Sequence, residues 1–312
     1  MAFITDSKVL DAATTVFFNR ELEHIISRTY DTKYAELSAM SLFAVNSEAN
    51  PGDTSVVYRS FDQRGVANII ADYGKDLPRV DIGGKEVITP LREMGASFAY
   101  SHREIQSAQK VGRPLESRRA SVCRRSIEEL MNDIAWDGDA QSNLPGFFSN
   151  SDVASSTAVN GAAGTPQWST KTPDEIIYDV NIVCSTIFKN SKGIHRPNQV
   201  WLDLQNWNYI NSTPRASGSD QTIAGFIAAN SPFITSLDAI KPVNEIENKG
   251  TSAVEVMVVS ENNAENAELL IAEDTVFHPV QERGLEFLIQ ATAVFGGLQI
   301  RYPKAFYILE NV

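Results

Sequence analysis

The stretch from Leu115 to Phe148, LESRRASVCRRSIEELMNDIAWDGDAQSNLPGFF, constrains this chain more than any other. Apolar residues recur at steps of three and four, with Cys123, Ile127, Leu130, Met131 and Ile134 on one face, so the spacing predicts one long helix over 115–137. At ~1.5 Å per residue, about 22 residues span roughly 33 Å. Asp137-Gly138-Asp139 stops it, with Gly138 suited to a left-handed cap, and Leu144-Pro145-Gly146 turns the chain at once. A helix this long and this charged suits a structural spine between neighbours better than a catalytic pocket.

Its charges run against its dipole. Arg118, Arg119, Arg124 and Arg125 crowd the N-terminal half, and Glu128, Glu129, Asp133 and Asp137 the C-terminal half. The macrodipole disfavours this order by about 0.3–1 kcal/mol per charge near an end. The pairs Arg124/Glu128 and Arg125/Glu129 return little, in the weaker orientation. Burying Ile127, Leu130 and Ile134 contributes roughly 1.5–3 kcal/mol each, so packing decides for the helix. The remaining charge gradient suits copies that meet head to tail.

The chain has 312 residues, enough for about two domains as a loose prior, and 43% hydrophobic residues can fill a core. The net charge of −12 gives no footprint for gripping nucleic acid, although an acidic wall can enclose it. Cys123 and Cys184 sit at apolar-periodic helix positions and read as buried free thiols of a reducing compartment. The first residues, MAFITDSKVLDAATTVFF, lack the basic and long apolar parts of a signal peptide. No apolar run nears the ~18 residues that a membrane span needs. The sequon at Asn211 then carries no meaning.

Along the chain, residues 1–48 read as mostly helical and weakly amphipathic, a segment to lie across a partner. Asn50-Pro51-Gly52-Asp53 is a turn, Ser55 to Phe61 is strand-like, and Val80 to Val87 reads as a hairpin turning at Gly83-Gly84. This region is poor in apolar residues and carries Arg59, Arg64, Arg79 and Arg92, so an extended two-stranded arm is expected rather than a compact unit. An isolated hairpin is marginal unless it lies on something else. Ser101 to Glu104 is a capping box, and so is Thr172 to Glu175 before a helix striped by Ile176, Val180, Val183 and Ile187. Residues 149–171 read as a polar surface loop. Gln199–Leu204, Val254–Val259, Leu269–Ala272, Leu285–Ala293 and Gly297–Tyr302 read as strands, and Ser219 to Thr222 opens a short helix. The pattern is α+β with a mainly antiparallel sheet late in the chain.

Catalytic signatures are missing. There is no glycine-rich nucleotide loop, no H-E-x-x-H and no C-x-x-C, so no cofactor or metal is expected. His24, His102, His195 and His278 are scattered, and a hydrolase site would need folding to gather two of them around Asp203 or Asp274. Asp137-Gly138-Asp139 lacks the rest of a calcium loop, so helix termination is preferred there. For Cys123 beside two arginines, an inert core thiol is preferred over a reactive one. For the arginine cluster, salt pairing within or between subunits is preferred over phosphate binding.

Taken in order, these pieces resemble the major capsid protein of tailed bacteriophages, whose Hong Kong phage capsid fold is shared with encapsulin nanocompartments. The resemblance rests on Asn132 to Asp139 followed by Leu144 to Phe147, on Ser219 to Ile223 followed by Asn230 to Phe233, and on the ending Phe295 to Phe306; the last two are similar to the encapsulin-like subgroup. It implies an N-arm at 1–51, an extended loop at 52–92, a peripheral domain at 93–149 with spine helix 115–137, an axial domain at 150–284, and peripheral return strands at 285–312. Paired Gly296-Gly297 would let the last long strand bulge. The implied function is a non-enzymatic shell of hexamers and pentamers around double-stranded DNA held without sequence readout, in the virion and assembled in host cytoplasm. Scaffolding, portal and decoration proteins are implied partners, and no membrane. Candidate inter-subunit contacts are Arg59, Arg64, Arg79, Glu86, Arg92, Arg118, Arg119, Arg124, Arg125, Glu128 and Glu129. The chain starts just before the N-arm, which speaks against a scaffold segment of its own, and no cross-linking lysine can be assigned. The competing readings are an encapsulin shell and a cytosolic α+β hydrolase or binding protein.

Overall fold

A computed structural model describes residues 36–64, 81–111 and 118–312, with side chains from 61–82, 108–109 and 111–117 left aside. The N-arm up to residue 35, Arg79, the Arg64 side chain and residues 115–117 therefore lie outside the described residues.

A short helix α1 (Ala39–Leu42) leads into β1 (Ala44–Asn46). Among the described residues, strands β2 (Ser55–Arg64) and β3 (Asp81–Pro90) pair only with each other, antiparallel over ten residues. Next come β4 (Arg92–Ser101), α2 (His102–Val111) and the spine helix α3 (Arg118–Asp137). The middle of the chain holds β5 (Ala154–Thr157), α4 (Pro173–Asn190), β6 (Gln199–Leu202), α5 (Leu204–Ser212), α6 (Ile223–Asn230) and β7 (Ile240–Pro242). It ends with β8 (Val256–Ser260), β9 (Ala267–Phe277), β10 (Gln281–Arg283), β11 (Glu286–Ile300) and β12 (Phe306–Glu310).

Two five-stranded sheets result. The first runs β1-β9-β11-β10, with β4 also on β11; the second runs β5-β12-β8-β6-β7. Most pairs are antiparallel, while β1–β9, β5–β12 and β6–β7 are parallel. The expected cut at residue 284 does not follow these sheets. Strand β9 belongs to the first sheet and β12 to the second, because the chain crosses between them at 261–266 and again at 301–305.

The two sheets share a core through β8. Its five residues are all buried, and side-chain alternation sends Val256 and Val258 to one side, Met257 and Val259 to the other. The first side holds Cys123, Ile127, Met131 and Ile134 of α3 over Met94, Leu269, Ala293 and Phe295. There Phe43, Trp136, Phe147, Trp201 and Phe306 interlock; Phe43 meets Trp201 edge-on at 5.4 Å and Phe147 meets Phe306 at 5.6 Å. The second side packs Ile176, Val180, Val183 and Ile187 of α4 with Ile223 and Ile227 of α6 against Val200, Leu202 and Leu309. Both cysteines are free and buried, and burial pushes the Cys184 thiol up to about 12.

Leu130 departs from the expected stripe and is 46% exposed. It lies eight residues after Val122, also exposed, on the edge that turns away from the sheet. Gly138 has φ of 75° and donates its N–H to the Ile134 carbonyl at 2.8 Å, closing α3. Gly297, at φ 79°, sits where the β11–β9 register shifts between Phe295 and Leu298, and Leu298 N–H donates to the Pro145 carbonyl at 2.8 Å. The turn after the spine helix is thereby docked on the bulge. A Cβ on Gly296 would come within 2.9 Å of Leu91. The two strands expected at 285–293 and 297–302 are one, because the bulge absorbs the extra residue without breaking the ladder.

Gly83 and Gly84 are not a turn. They lie inside β3 opposite Asp62 and Phe61, because the β-branched run of β2 pairs at long range and leaves no local fold-back. The strand expected to reach Leu204 ends at Leu202, since Asp203 caps α5 by accepting the Gln205 and Asn206 N–H groups. The loop 149–171 contains β5 and the fully buried Trp168, whose indole N–H donates to Asp179 Oδ2 at 3.1 Å. Lys171 Nζ donates to the same oxygen at 2.5 Å, and both side chains are buried. Burial is the largest influence on the Asp179 carboxyl and raises it, with Lys171 opposing.

Candidate assembly interface

The β2–β3 hairpin is amphipathic by alternation. Val56, Tyr58, Val87 and Thr89 are half-buried or buried, and Val57, Arg59, Glu86 and Ile88 face outward. Val57 pairs directly with Ile88, at 48% and 65% exposure, an apolar cross-strand couple left uncovered by the described residues. Arg59 and Glu86 are the next outward pair and bridge at 2.8 Å. On the inward side, burial raises the Tyr58 hydroxyl, with Arg301 pulling down and Asp152 pushing up.

Several arginines expected to face neighbours have partners in their own chain. Arg119 donates to the Ala99 carbonyl at 2.6 Å, bridges Glu104 at 3.0 Å and lies 4.7 Å over the Tyr100 ring. Glu104 also closes the Ser101 capping box, and the Arg119 and Ser101 hydrogen bonds hold its carboxyl below the ordinary value. Arg125 bridges Glu129 at 2.7 Å, and Arg92 donates to the Ser142 carbonyl at 3.2 Å. Arg118 and Arg124 are exposed, and among the described residues no ion pair joins Arg124 to Glu128.

The other end of α3 is acidic. Asp133, Asp137, Glu245 and Glu247 line a cavity of about 340 Å³ with Lys249, whose Nζ lies 2.6 Å from Asp137. Burial first, then Asp137, Glu129 and Glu245, push the Asp133 carboxyl up, against Lys249. Beside this cavity a polar knot fixes the entry to α1. Ser38 donates its N–H and hydroxyl to the Glu245 carboxylate at 3.1 and 2.7 Å. Asn132 donates to Glu245 at 2.9 Å and accepts from Ala39 N–H, while the Trp136 indole donates to Ser38 Oγ. Sequence reasoning missed this knot, whose partners lie 207 residues apart.

His24 lies outside the described residues, and the three described histidines have hydrogen-bond partners other than Asp203 and Asp274. His195 pairs with Glu261 at 2.6 Å, His278 with Thr292 at 2.7 Å and His102 with Gln106 at 2.8 Å. Among the described residues no three His, Cys, Asp or Glu side chains converge to hold a metal ion, and no helix is long and apolar enough to cross a membrane.

Against known proteins, a family profile described as "Major capsid protein" matches residues 65–312. The capsid of Myoviridae phage XM1 is similar at TM-score 0.79 and 15% identity, covering 94% of this chain and 98% of that one. The capsid of a native GTA particle is similar at TM-score 0.60 and 13% identity over 96% of this chain and 98% of that one. A virus-like particle from Pyrococcus furiosus is similar at TM-score 0.55 and 13% identity, over 87% and 91%. Comparison with curated proteins gave no match.

Proposed function

The chain belongs to the major capsid protein family, and from this premise we propose that it tiles an icosahedral shell of hexamers and pentamers enclosing double-stranded DNA. The carrying observation is the hairpin whose outer face leaves Val57 and Ile88 uncovered by the described residues. Two-stranded ribbons are marginal alone, so an adjacent copy is the natural cover. Residues 52–92 then act as the reaching arm and α3 as the spine of the peripheral part. Heterologous contacts close into rings, and many modest contacts per subunit add up to a stable shell. Arg124, exposed in the N-terminal half of the spine helix, and the acidic cavity at its C-terminal end set register more than affinity. A net charge of −12 suits an inner wall that repels phosphate and lets a genome slide. In this reading the role is structural rather than catalytic, which membership of a capsid protein family supports. Within the virion, scaffolding, portal and decoration proteins are the expected further partners.

Negative-stain microscopy of the purified chain tests this reading. Polyhedral particles in the void volume are expected; a small defined oligomer at every concentration would overturn it. The fold likeness to the Pyrococcus furiosus particle favours a second reading, a shell around protein cargo. Nuclease-protected DNA inside purified native particles supports the phage reading, and a protein cargo without DNA supports the other.

A further inference from the structure

The chain crosses between its two sheets at 261–266 and again at 301–305, and the loop after α4 lies beside both crossings. Arg301 and Tyr302 donate their N–H groups to the Asn266 carbonyl at 2.8 and 3.3 Å, and Glu261 N–H donates to the Ala305 carbonyl at 2.9 Å, so the crossings hold each other. Between them and the loop lies a cavity of about 640 Å³, lined among others by Lys192, His195, Glu261, Asn266, Tyr302 and Lys304. Ligand pockets ordinarily measure roughly 300–1,000 Å³. Two of the lining groups are buried and fixed from behind. His195 is 9% exposed, and its Nδ1 lies 2.6 Å from Glu261 Oε2, while nothing among the described residues bonds its Nε2. A neutral imidazole that gives its Nδ1 proton to a carboxylate presents Nε2 as an acceptor. Asn266 is 3% exposed and spends its amide donors on Glu261, at 2.9 Å to the carbonyl and 3.0 Å to the carboxylate, which leaves Oδ1 to accept. Donors line the same cavity: the two lysines and the Asn263 amide, whose own Oδ1 already accepts the Glu265 N–H. Tyr302 is 52% exposed, with its ring 5.7 Å from the imidazole.

The lining charges cancel, with Lys192 and Lys304 against Glu261 and Glu265. An anion or a cation therefore meets like charge there, and a neutral ligand does not. The ligand must both donate and accept, and it must offer a flat apolar face to Tyr302. We propose that this cavity binds a saccharide, with one pyranose ring laid on Tyr302 and its neighbouring hydroxyls shared between the acceptors His195 Nε2 and Asn266 Oδ1 and the lysine and Asn263 donors. A hydroxyl carries one donor proton and two acceptor lone pairs, so each one joins an acceptor to a donor. The C–H face of a pyranose is apolar and covers an exposed aromatic ring as another flat apolar group does. Glu261 acts from behind as a positioning residue. It accepts from His195, Asn266 and the Arg196 N–H, and so fixes which atoms of the first two look into the cavity. No part of the pocket belongs to the hairpin or the spine helix, so it operates independently of the assembly contacts.

The test uses the purified full chain at neutral pH, with maltose, lactose and chitobiose as probes and saturation-transfer NMR and calorimetry as readouts. At least one of these sugars is expected to bind with millimolar affinity. Tyr302→Ala is expected to weaken binding by about tenfold, the upper worth of an aromatic stacking contact, while Tyr302→Phe keeps the ring and stays within about threefold. Tyr178→Ala removes another half-exposed tyrosine, on α4 and outside the cavity, and is expected to change nothing. Tyr302 is itself half exposed, so its variants keep the fold, which circular dichroism confirms. Failure of all three sugars to bind at tens of millimolar overturns the proposal. So does binding of inorganic phosphate or of a capped alanine dipeptide in place of the sugars, or a Tyr302→Ala chain that binds sugar as the wild type does.

Discussion

A Cβ on Gly146 would lie 2.2 Å from the backbone nitrogen of Gly138, so the turn after the spine helix closes on itself with no room for a side chain. The same Cβ would meet the Ile134 carbonyl oxygen at 2.7 Å, and both obstacles are backbone that cannot step aside. Gly146→Ala is expected to cost about 3 kcal/mol or more, the upper range of overpacking. Urea unfolding of the unassembled chain measures it. A cost below about 0.5 kcal/mol, the range of ordinary surface changes, would show that the turn can relax.

The Lys171–Asp179 pair is buried on both sides and shares its acceptor oxygen with the Trp168 indole. Lys171→Met leaves a buried carboxylate without its cation and is expected to cost about 3–5 kcal/mol. Adding Asp179→Leu should recover most of that loss, because the charge disappears with its partner. Chemical denaturation of the two variants decides, and equal losses in both would show that the Trp168 hydrogen bond dominates.

Asp133 gives a pH signature. Its carboxyl is held above the ordinary 3.8 in the folded chain, so the folded state keeps its proton longer than the unfolded state does. The sign follows: stability contributed by the protonated acid is present at low pH and lost as pH rises through the two values. Asp133→Asn is therefore expected to raise Tm at neutral pH and to leave it unchanged below about pH 3, under the ordinary carboxylate range. A melting series across pH checks this, and a drop in Tm at neutral pH would count against it.

Replacing Val57 and Ile88 together by Ser removes the uncovered apolar couple without touching either core. Each side chain is worth roughly 1.5–3 kcal/mol when fully covered. Since 1.4 kcal/mol is tenfold, the concentration needed for assembly should rise by about one hundredfold or more. Light scattering against concentration measures the threshold, with circular dichroism confirming an intact fold. An unchanged threshold would remove this face from the interface.

What could be read in advance depended on range. The spine helix, the capping boxes at Ser101 and Thr172 and the left-handed Gly138 are local patterns, and each is present. The hairpin was legible as an arm, but not its partner strand, so Gly83 and Gly84 were placed at a turn they do not make. Trp168 sat in a polar stretch, and its burial depends on Asp179 of a later helix. Arg119 looked available to a neighbour because no spacing rule reveals the Ala99 carbonyl that holds it. The knot of Ser38 with Glu245 has no sequence signal at all, since loops far apart meet only after both sheets form.

Strand β8 is a party wall, with one set of its side chains furnishing the room under the spine helix and the other the room under α4. Heat that loosens either room loosens the strand both rooms share, and so unsettles the other. A unit built this way has no half-melted form to offer, so each copy either holds its full shape or gives way all at once.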